Sequence, residues 1–109
     1  MIKATVFQDS EGQICGVELR GHAGYGEYGQ DIICSAVSVL AINFANSVET
    51  FTEDGFTGEV DQEKGDFSFH FTDHISSQSR LLMDSMVLGL KTIAESYGNE
   101  YISIQYREV

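Results

Sequence analysis

Two residues of the chain, His22 and Cys34, have the types and the spacing needed for covalent acyl transfer. Cys34 falls in the first turn of a predicted helix, and His22 lies twelve residues before it. A thiol in that turn faces backbone N–H groups that lack helical partners and the positive end of the helix dipole, which favour the nucleophilic thiolate. An imidazole within hydrogen-bond reach can accept the thiol proton and later donate it. The pair therefore predicts cysteine-dependent hydrolysis, provided that the fold brings the two side chains together.

Two further side chains, Asp31 and Ser38, are placed to support this pair. Asp31 opens the helical pattern, so its carboxylate is expected to accept from backbone N–H groups two or three residues on, including that of Cys34. It could also orient the imidazole of His22, as the third member of a triad does; we favour the cap. Ser38 lies one helical turn after Cys34, so its hydroxyl is expected to reach either the site or the Cys34 carbonyl. Backbone N–H groups around Cys34 are the expected donors to an oxyanion.

A glycine-rich segment joins the two candidate residues: Gly24, Tyr25, Gly26, Glu27, Tyr28 and Gly29. Because glycine adopts backbone angles that other residues avoid, we predict a substrate loop that opens for a peptide and closes over it. Its two tyrosines either contact the substrate or anchor the loop on the surface. The spacing also matches the G-x-G-x-x-G pattern of dinucleotide-binding loops. We favour the substrate loop, because Glu27 would lie near a pyrophosphate and the strand after the helix is too polar for a buried parallel strand.

The motifs Gly21–Ala23, Gly26–Gly29 and Asp31–Ser38 together resemble the bacterial ribosomal-processing cysteine proteases of the Prp family. The resemblance implies that His22 and Cys34 form the catalytic dyad, with no metal and no organic cofactor. It also implies a thioester acyl-enzyme intermediate that water then hydrolyses.

The same resemblance implies a substrate and an assembly. Members of this family remove a short N-terminal extension from a large-subunit ribosomal protein, number twenty-seven in the usual list. The expected substrate is thus a basic ribosomal protein precursor with a hydrophobic, Phe-rich extension that is cut after aromatic residues, and the expected assembly is a homodimer. Ile33 and Ser35 stand where the family pattern favours Val and Ala, and neither departure touches the dyad.

Hydrophobic periodicity predicts the elements that must position these residues, in the order ββαββαβ. The predicted elements are strands 2–7 and 14–20, a helix from Asp31 to about Glu53, strands 57–61 and 66–71, a helix capped by Ser76 or Asp73 and ended at Gly98, and a strand 101–107. An order without a sustained βαβ rhythm favours an α+β fold with two helices packed on one mainly antiparallel sheet. The length of 109 residues predicts a single domain over 1–109.

Charge and hydropathy limit the partners that the protein is expected to bind. Seventeen acidic and six basic side chains give a net charge of −11, which disfavours direct binding to nucleic acid or to anionic membrane surfaces and suits a basic partner. The N-terminal segment alternates, and no stretch is expected to reach the length of a membrane span. We therefore expect a cytoplasmic protein. A non-enzymatic adaptor that binds a basic ribosomal protein through an acidic surface is the alternative to a protease.

The remaining cysteine and histidines allow two other interpretations. Cys15 alternates with Val17 and Leu19, so it is expected to be a buried core residue rather than a redox partner of Cys34. Four residues could be gathered into a zinc site: His22, Cys34, His70 and His74. The sequence disfavours zinc, because it lacks Cys-x-x-Cys and because the His70 to His74 pair straddles a strand end.

Overall fold

The computed structural model describes residues 1–27 and 30–109. It contains the predicted elements in the predicted order. They are β1 (Ile2–Gln8), β2 (Ile14–Arg20), α1 (Ile32–Phe51), β3 (Phe56–Asp61), β4 (Asp66–Phe71), α2 (Ser77–Tyr97) and β5 (Ile102–Glu108). The predicted element order is therefore confirmed, with boundaries that shift by one or two residues.

The five strands form one mixed sheet in the order β3-β4-β2-β1-β5. All neighbours are antiparallel except β1 and β5, which are parallel because the chain crosses over through α2. One face of the sheet and the two helices enclose a single apolar core. The sheet contributes every second residue of its strands to this core, including Ala4, Val6, Val17, Leu19, Phe67 and Phe69. The predicted α+β fold is confirmed.

Helix α1 supplies the other side of the core and carries Cys34 at its start. Its buried apolar stripe repeats at three- and four-residue steps: Ile33, Val37, Ala41, Phe44 and Val48. By length and composition alone, α1 is long and apolar enough to cross a membrane, with a mean hydropathy of 1.5. The expectation that no stretch reaches this length was therefore wrong. A core helix passes the same test, and the buried stripe of α1 identifies it as one.

A β-bulge in the first hairpin changes the position of Cys15. Gly16 pairs with Phe7 and Ile14 pairs with Gln8, so Cys15 is the extra residue between them. The thiol is half-buried and donates to the carbonyl oxygen of Phe7 at 3.5 Å. The prediction that Cys15 packs in the core was wrong, because the bulge interrupts the alternation on which that prediction relied.

The start of α2 is fixed by a carboxylate from the segment after α1. Ser76 is the N-cap, and Asp54 accepts hydrogen bonds from the backbone N–H and the hydroxyl of Ser76 and from the hydroxyl of the buried Ser79. These donors from Ser76 and Ser79 hold the pKa of Asp54 below its ordinary value. The carboxylate of Asp54 thus connects the segment that follows α1 to the N-terminus of α2.

Asp54→Asn should lower the free energy of unfolding at neutral pH, since the amide is a weaker acceptor for three donors. Because folding lowers the pKa of Asp54, its stabilising effect is present above the unfolded-state pKa and is lost as the pH falls through the folded-state value. The stability gap between wild type and variant should therefore narrow on acidification, as measured by urea unfolding over a pH series. The control is Asp84→Asn, an exposed acid of α2, and a gap that stays constant with pH would contradict the assignment.

Candidate active site

The fold brings His22 and Cys34 together at the start of α1. His22 follows the end of β2, and its Nδ1 atom lies 3.8 Å from the Sγ atom of Cys34. Both side chains are half-buried. The separation is within the reach of a sulfur hydrogen bond, and such contacts commonly tighten when a substrate binds. The geometry thus meets the condition that the sequence left open.

The surroundings of the sulfur favour the neutral thiol. Burial raises the pKa of Cys34 above its ordinary value, and the negative charge of Asp31 raises it further. The N–H of Ala23, which donates to the sulfur at 3.1 Å, lowers the pKa but does not cancel the increase. The sequence had predicted a stabilised thiolate. That prediction was wrong, because burial of the sulfur disfavours the anion and the carboxylate of Asp31 adds a negative charge beside it.

That carboxylate, Asp31, connects four backbone N–H groups. Its Oδ1 atom accepts from Ile33 and Cys34, each at 3.0 Å, and its Oδ2 atom accepts from Tyr25 at 2.9 Å and Gly26 at 3.4 Å. Burial by itself would raise the pKa of Asp31, but the backbone donors outweigh it and hold the pKa below its ordinary value. The predicted N-cap is confirmed. Asp31 also fixes the start of the glycine-rich loop, a role that the sequence did not indicate.

The oxyanion donors expected along α1 are already engaged. The N–H of Cys34 bonds to the Asp31 side chain, and the N–H of Ser35 bonds to the Asp31 carbonyl at 3.0 Å. Neither group is available to a substrate without breaking the helix cap. The Ala23 N–H, which contacts the sulfur of Cys34, is a backbone donor that the sequence did not single out.

The second ring nitrogen of His22 contacts the turn between β3 and β4. Its Nε2 atom lies 2.8 Å from the carbonyl oxygen of Glu63. Sequence analysis could not find this partner, since a main-chain carbonyl 41 residues away has no residue-type signature.

A cleft of about 500 Å³ opens beside the two residues. Its apolar walls are formed by Leu19, Val37, Ala41, Ile42, Val60 and Phe67. Polar side chains also line it: Ser38, Asp61, Gln62 and Asp66. A mostly apolar cleft with a few polar groups suits a bulky apolar side chain on an extended peptide. The β3–β4 hairpin provides a whole wall, which the sequence did not predict because strand order is not a local property.

The described part of the glycine-rich loop divides between the cleft and the surface. Gly24 and Gly26 line the cleft. The ring of Tyr25 packs edge-on against Tyr97 and Tyr101, with centroid distances of 5.6 and 5.2 Å. Tyr25 was expected either to contact the substrate or to anchor the loop on the surface, and these contacts match an anchor. The Glu27 carbonyl accepts from the N–H of Gln30, while the predictions for Tyr28 and Gly29 lie outside the described residues.

Ser38 lies on the cleft side of α1, exposed and one turn beyond Cys34. Its side chain forms no hydrogen bond with the described residues, so the alternative of a bond to the Cys34 carbonyl is not realised. The hydroxyl is therefore accessible to a peptide in the cleft.

The zinc and dinucleotide interpretations do not fit this arrangement. His70 bonds to Glu18 at 2.9 Å on the open face of the sheet, away from the cleft. Within residues 1–27 and 30–109, no three His, Cys, Asp or Glu side chains are grouped as metal ligands. The strand before the glycine-rich loop is β2, whose neighbours are both antiparallel, so the parallel βαβ unit of a dinucleotide site is not formed there.

Alkylation of Cys34 by iodoacetamide, followed in Cys15→Ser protein, should show a pH midpoint above that of an ordinary thiol. Burial and the Asp31 charge both raise the pKa of Cys34, so the reactive thiolate should increase only at more alkaline pH. The measurement is the alkylation rate by mass spectrometry over a pH series, with free cysteine as the reference. A midpoint at or below that of the reference would show that the thiolate is stabilised after all.

Comparison with known proteins agrees with this geometry. The family model described as Cysteine protease Prp matches residues 1–103. The ribosomal processing cysteine protease Prp of Staphylococcus aureus is 31% identical over 107 residues, covering 98% of this chain and all of the relative. The Bacillus subtilis protein of that name is 31% identical over 103 residues, covering 89% of this chain and 90% of the relative.

Solved structures agree as well. Crystal structures of the essential ribosomal processing protease Prp from S. aureus, in complex with a covalently linked product peptide and with a substrate peptide, superpose with TM-scores of 0.91 and 0.86 at 31% and 30% identity. Each covers 98% of this chain and all of the matched chain. The cysteine and histidine at the cleft, the shared fold and the full-length matches together show that this chain is a cysteine-type peptidase and belongs to the Prp family of ribosomal processing cysteine proteases.

Proposed function

We propose that Cys34 and His22 are the catalytic dyad of this peptidase. The observation that carries the proposal is the 3.8 Å approach of His22 Nδ1 to Cys34 Sγ at the edge of the cleft. Since the pKa of the thiol is raised, His22 takes the thiol proton as the sulfur attacks the scissile carbonyl, instead of meeting a thiolate formed in advance.

The remaining steps follow from the same two groups. His22 donates that proton to the leaving amine as the C–N bond breaks, and a thioester on Cys34 results. His22 then accepts a proton from water, whose oxygen attacks the thioester, and the sulfur recovers the proton as the acid product leaves. The covalently linked product peptide in the S. aureus relative supports a covalent step of this kind.

The oxyanion is stabilised, in this proposal, by two groups beside the sulfur. The Ala23 N–H already lies 3.1 Å from Sγ, close to where a carbonyl oxygen of a bound substrate would be. The hydroxyl of Ser38 faces the same cleft and is accessible. Hydrogen-bond donors at this position stabilise the negative charge that develops in the transition state.

We propose that the substrate is the precursor of large-subunit ribosomal protein number twenty-seven, cut after an aromatic residue of its hydrophobic extension. The apolar walls of the cleft support an aromatic or branched side chain next to the scissile bond. Asp61 and Asp66 on the hairpin wall and a net charge of −11 support a basic substrate body. With such a substrate, we place the reaction in the cytoplasm, in ribosome assembly.

Cys34→Ala and His22→Ala should each lower cleavage of the purified precursor by about three orders of magnitude or more, since dyad members act as a unit. The new N-terminus is mapped by mass spectrometry, and precursor binding, measured separately, should be retained. The control is Cys15→Ser, which alters the half-buried thiol at the bulge and should cleave normally. Cleavage by pure Cys34→Ala protein at the same position would refute the dyad.

We further propose that the protein is a homodimer that pairs through the outer faces of α1 and α2. A groove between the helices is lined by apolar and small residues, including Ala36, Val39, Leu40, Leu88 and Gly89. Val39 and Leu88 are 66% and 65% exposed, and the only charged residue of α1 is Glu49 near its end. Two copies of so acidic a chain repel each other, so an uncharged surface is where they can meet at least electrostatic cost.

Val39→Asp should convert the dimer to a monomer, because the substitution places a charge at the centre of each copy's uncharged groove. Sedimentation equilibrium of the two proteins gives the measurement. Gln105→Asp on β5, which adds the same charge at an exposed position elsewhere, should leave the dimer intact. A wild-type monomer, or a Val39→Asp dimer, would contradict this interface.

A further inference from the structure

We propose that the β3–β4 turn is the third component of the catalytic apparatus and that Gly65 is its positioning residue. The turn holds His22 in the tautomer in which Nε2 carries the proton, so that Nδ1 is the acceptor facing Cys34. This inference rests on the proposed role of His22 as the base.

The tautomer follows from what a carbonyl can do in a hydrogen bond. The carbonyl oxygen of Glu63 only accepts, so at 2.8 Å the Nε2 atom of His22 must be the donor. A neutral imidazole carries one N–H, which leaves the Nδ1 lone pair directed to the sulfur at 3.8 Å. After Nδ1 takes the thiol proton, Nε2 still donates to the same carbonyl. The carbonyl thus has the orienting role that a carboxylate has in a triad, without adding a charge beside the sulfur.

Close backbone packing holds the turn in place. Gly65 has a φ of +73°, and a Cβ atom there would overlap the Gly21 carbonyl, at 2.7 Å from its carbon, and would lie 3.1 Å from Cε1 of His22. The Gly21 carbonyl belongs to the main chain and cannot rotate away. Any side chain at position 65 must therefore displace the turn from Gly21 and His22. Glycine at this position lets the turn approach His22 closely enough for the Glu63 carbonyl to reach Nε2.

The hairpin that carries this turn also forms a wall of the cleft. Val60, Asp61, Gln62 and Asp66 line the cleft, and the Oδ1 atom of Asp61 closes the turn by accepting from the N–H of Lys64 at 3.1 Å. β3 is the edge strand beside β4, and most of its residues are exposed. The element that orients the base is therefore also part of the cleft wall. Displacement of the turn should impair the chemical step because it removes the partner of His22 Nε2, whereas the apolar walls that β2 and α1 contribute to the cleft stay in place for substrate binding.

The test combines a spectroscopic and a kinetic measurement on the full chain. Side-chain ¹⁵N NMR, at a pH where the imidazole is neutral, reports which ring nitrogen of His22 carries the proton, with His22→Ala protein used for assignment. Wild type should show the Nε2–H tautomer. Gly65→Ala should show a mixture of tautomers and a kcat for precursor cleavage lower by about tenfold or more, with KM changed by less than about twofold.

The matched control is Gly12→Ala. Gly12 is also a hairpin-turn glycine with a positive φ, +82°, but no heavy atom lies within 4 Å of the Cβ it would gain. Its substitution imposes the same kind of backbone strain without the contact to Gly21 and His22. Gly12→Ala should therefore keep the wild-type tautomer and kcat.

Two results would overturn the inference: a wild-type Nδ1–H tautomer, or Gly65→Ala protein with the wild-type tautomer and kcat. If circular dichroism shows that Gly65→Ala is unfolded, Asp61→Ala takes its place, because it loosens the turn without a clash; an unchanged tautomer there would equally overturn it. Refutation of the dyad proposal is distinguishable from refutation of this inference, because it would appear as precursor cleavage by His22→Ala protein. If His22→Ala protein loses cleavage while Gly65→Ala protein keeps the wild-type tautomer and kcat, the proposed role of the turn is refuted and the dyad stands.

Discussion

The buried carboxylate of Asp31 is the interaction on which the arrangement of the site depends. By accepting from two N–H groups of α1 and two of the preceding loop, it fixes where the helix begins and where the chain leading to it must run. Cys34 lies in the first turn of that helix, so the position of its sulfur follows from the cap. The Ala23 N–H contacts the sulfur, and Ala23 lies just before Tyr25 and Gly26, whose N–H groups bond to the same carboxylate.

The capping carboxylate also has an electrostatic consequence. Burial raises the pKa of the Cys34 thiol and the charge of Asp31 adds to the increase, while the N–H of Cys34 in the first turn bonds to Asp31 instead of the sulfur. In the proposed mechanism, a thiol held in this way depends on its base at the moment of attack. That dependence explains why the orientation of His22, and not only its proximity, is important in this site.

The two members of the proposed dyad are held by different parts of the fold. Cys34 is on a long helix whose buried stripe packs against the sheet, while His22 contacts a turn of an edge hairpin. In the proposed mechanism, the base is thus held by an element that also forms part of the cleft wall. The uncharged groove between the helices and this cleft are lined by different residues of α1 except Ser35, which borders both.

Local sequence patterns determined most of the fold and the identity of the pair. The stripe of α1, the caps at Asp31 and Ser76 and the alternation in β4 are encoded by residues within a few positions of one another, and the types of His22 and Cys34 indicate their chemistry. Only the tertiary structure decided the contact of His22 with the Glu63 carbonyl, the hairpin wall of the cleft and the displacement of Cys15. These depend on main-chain atoms, on strand order and on a bulge, and such features arise from residues distant in the chain or from groups that every residue carries.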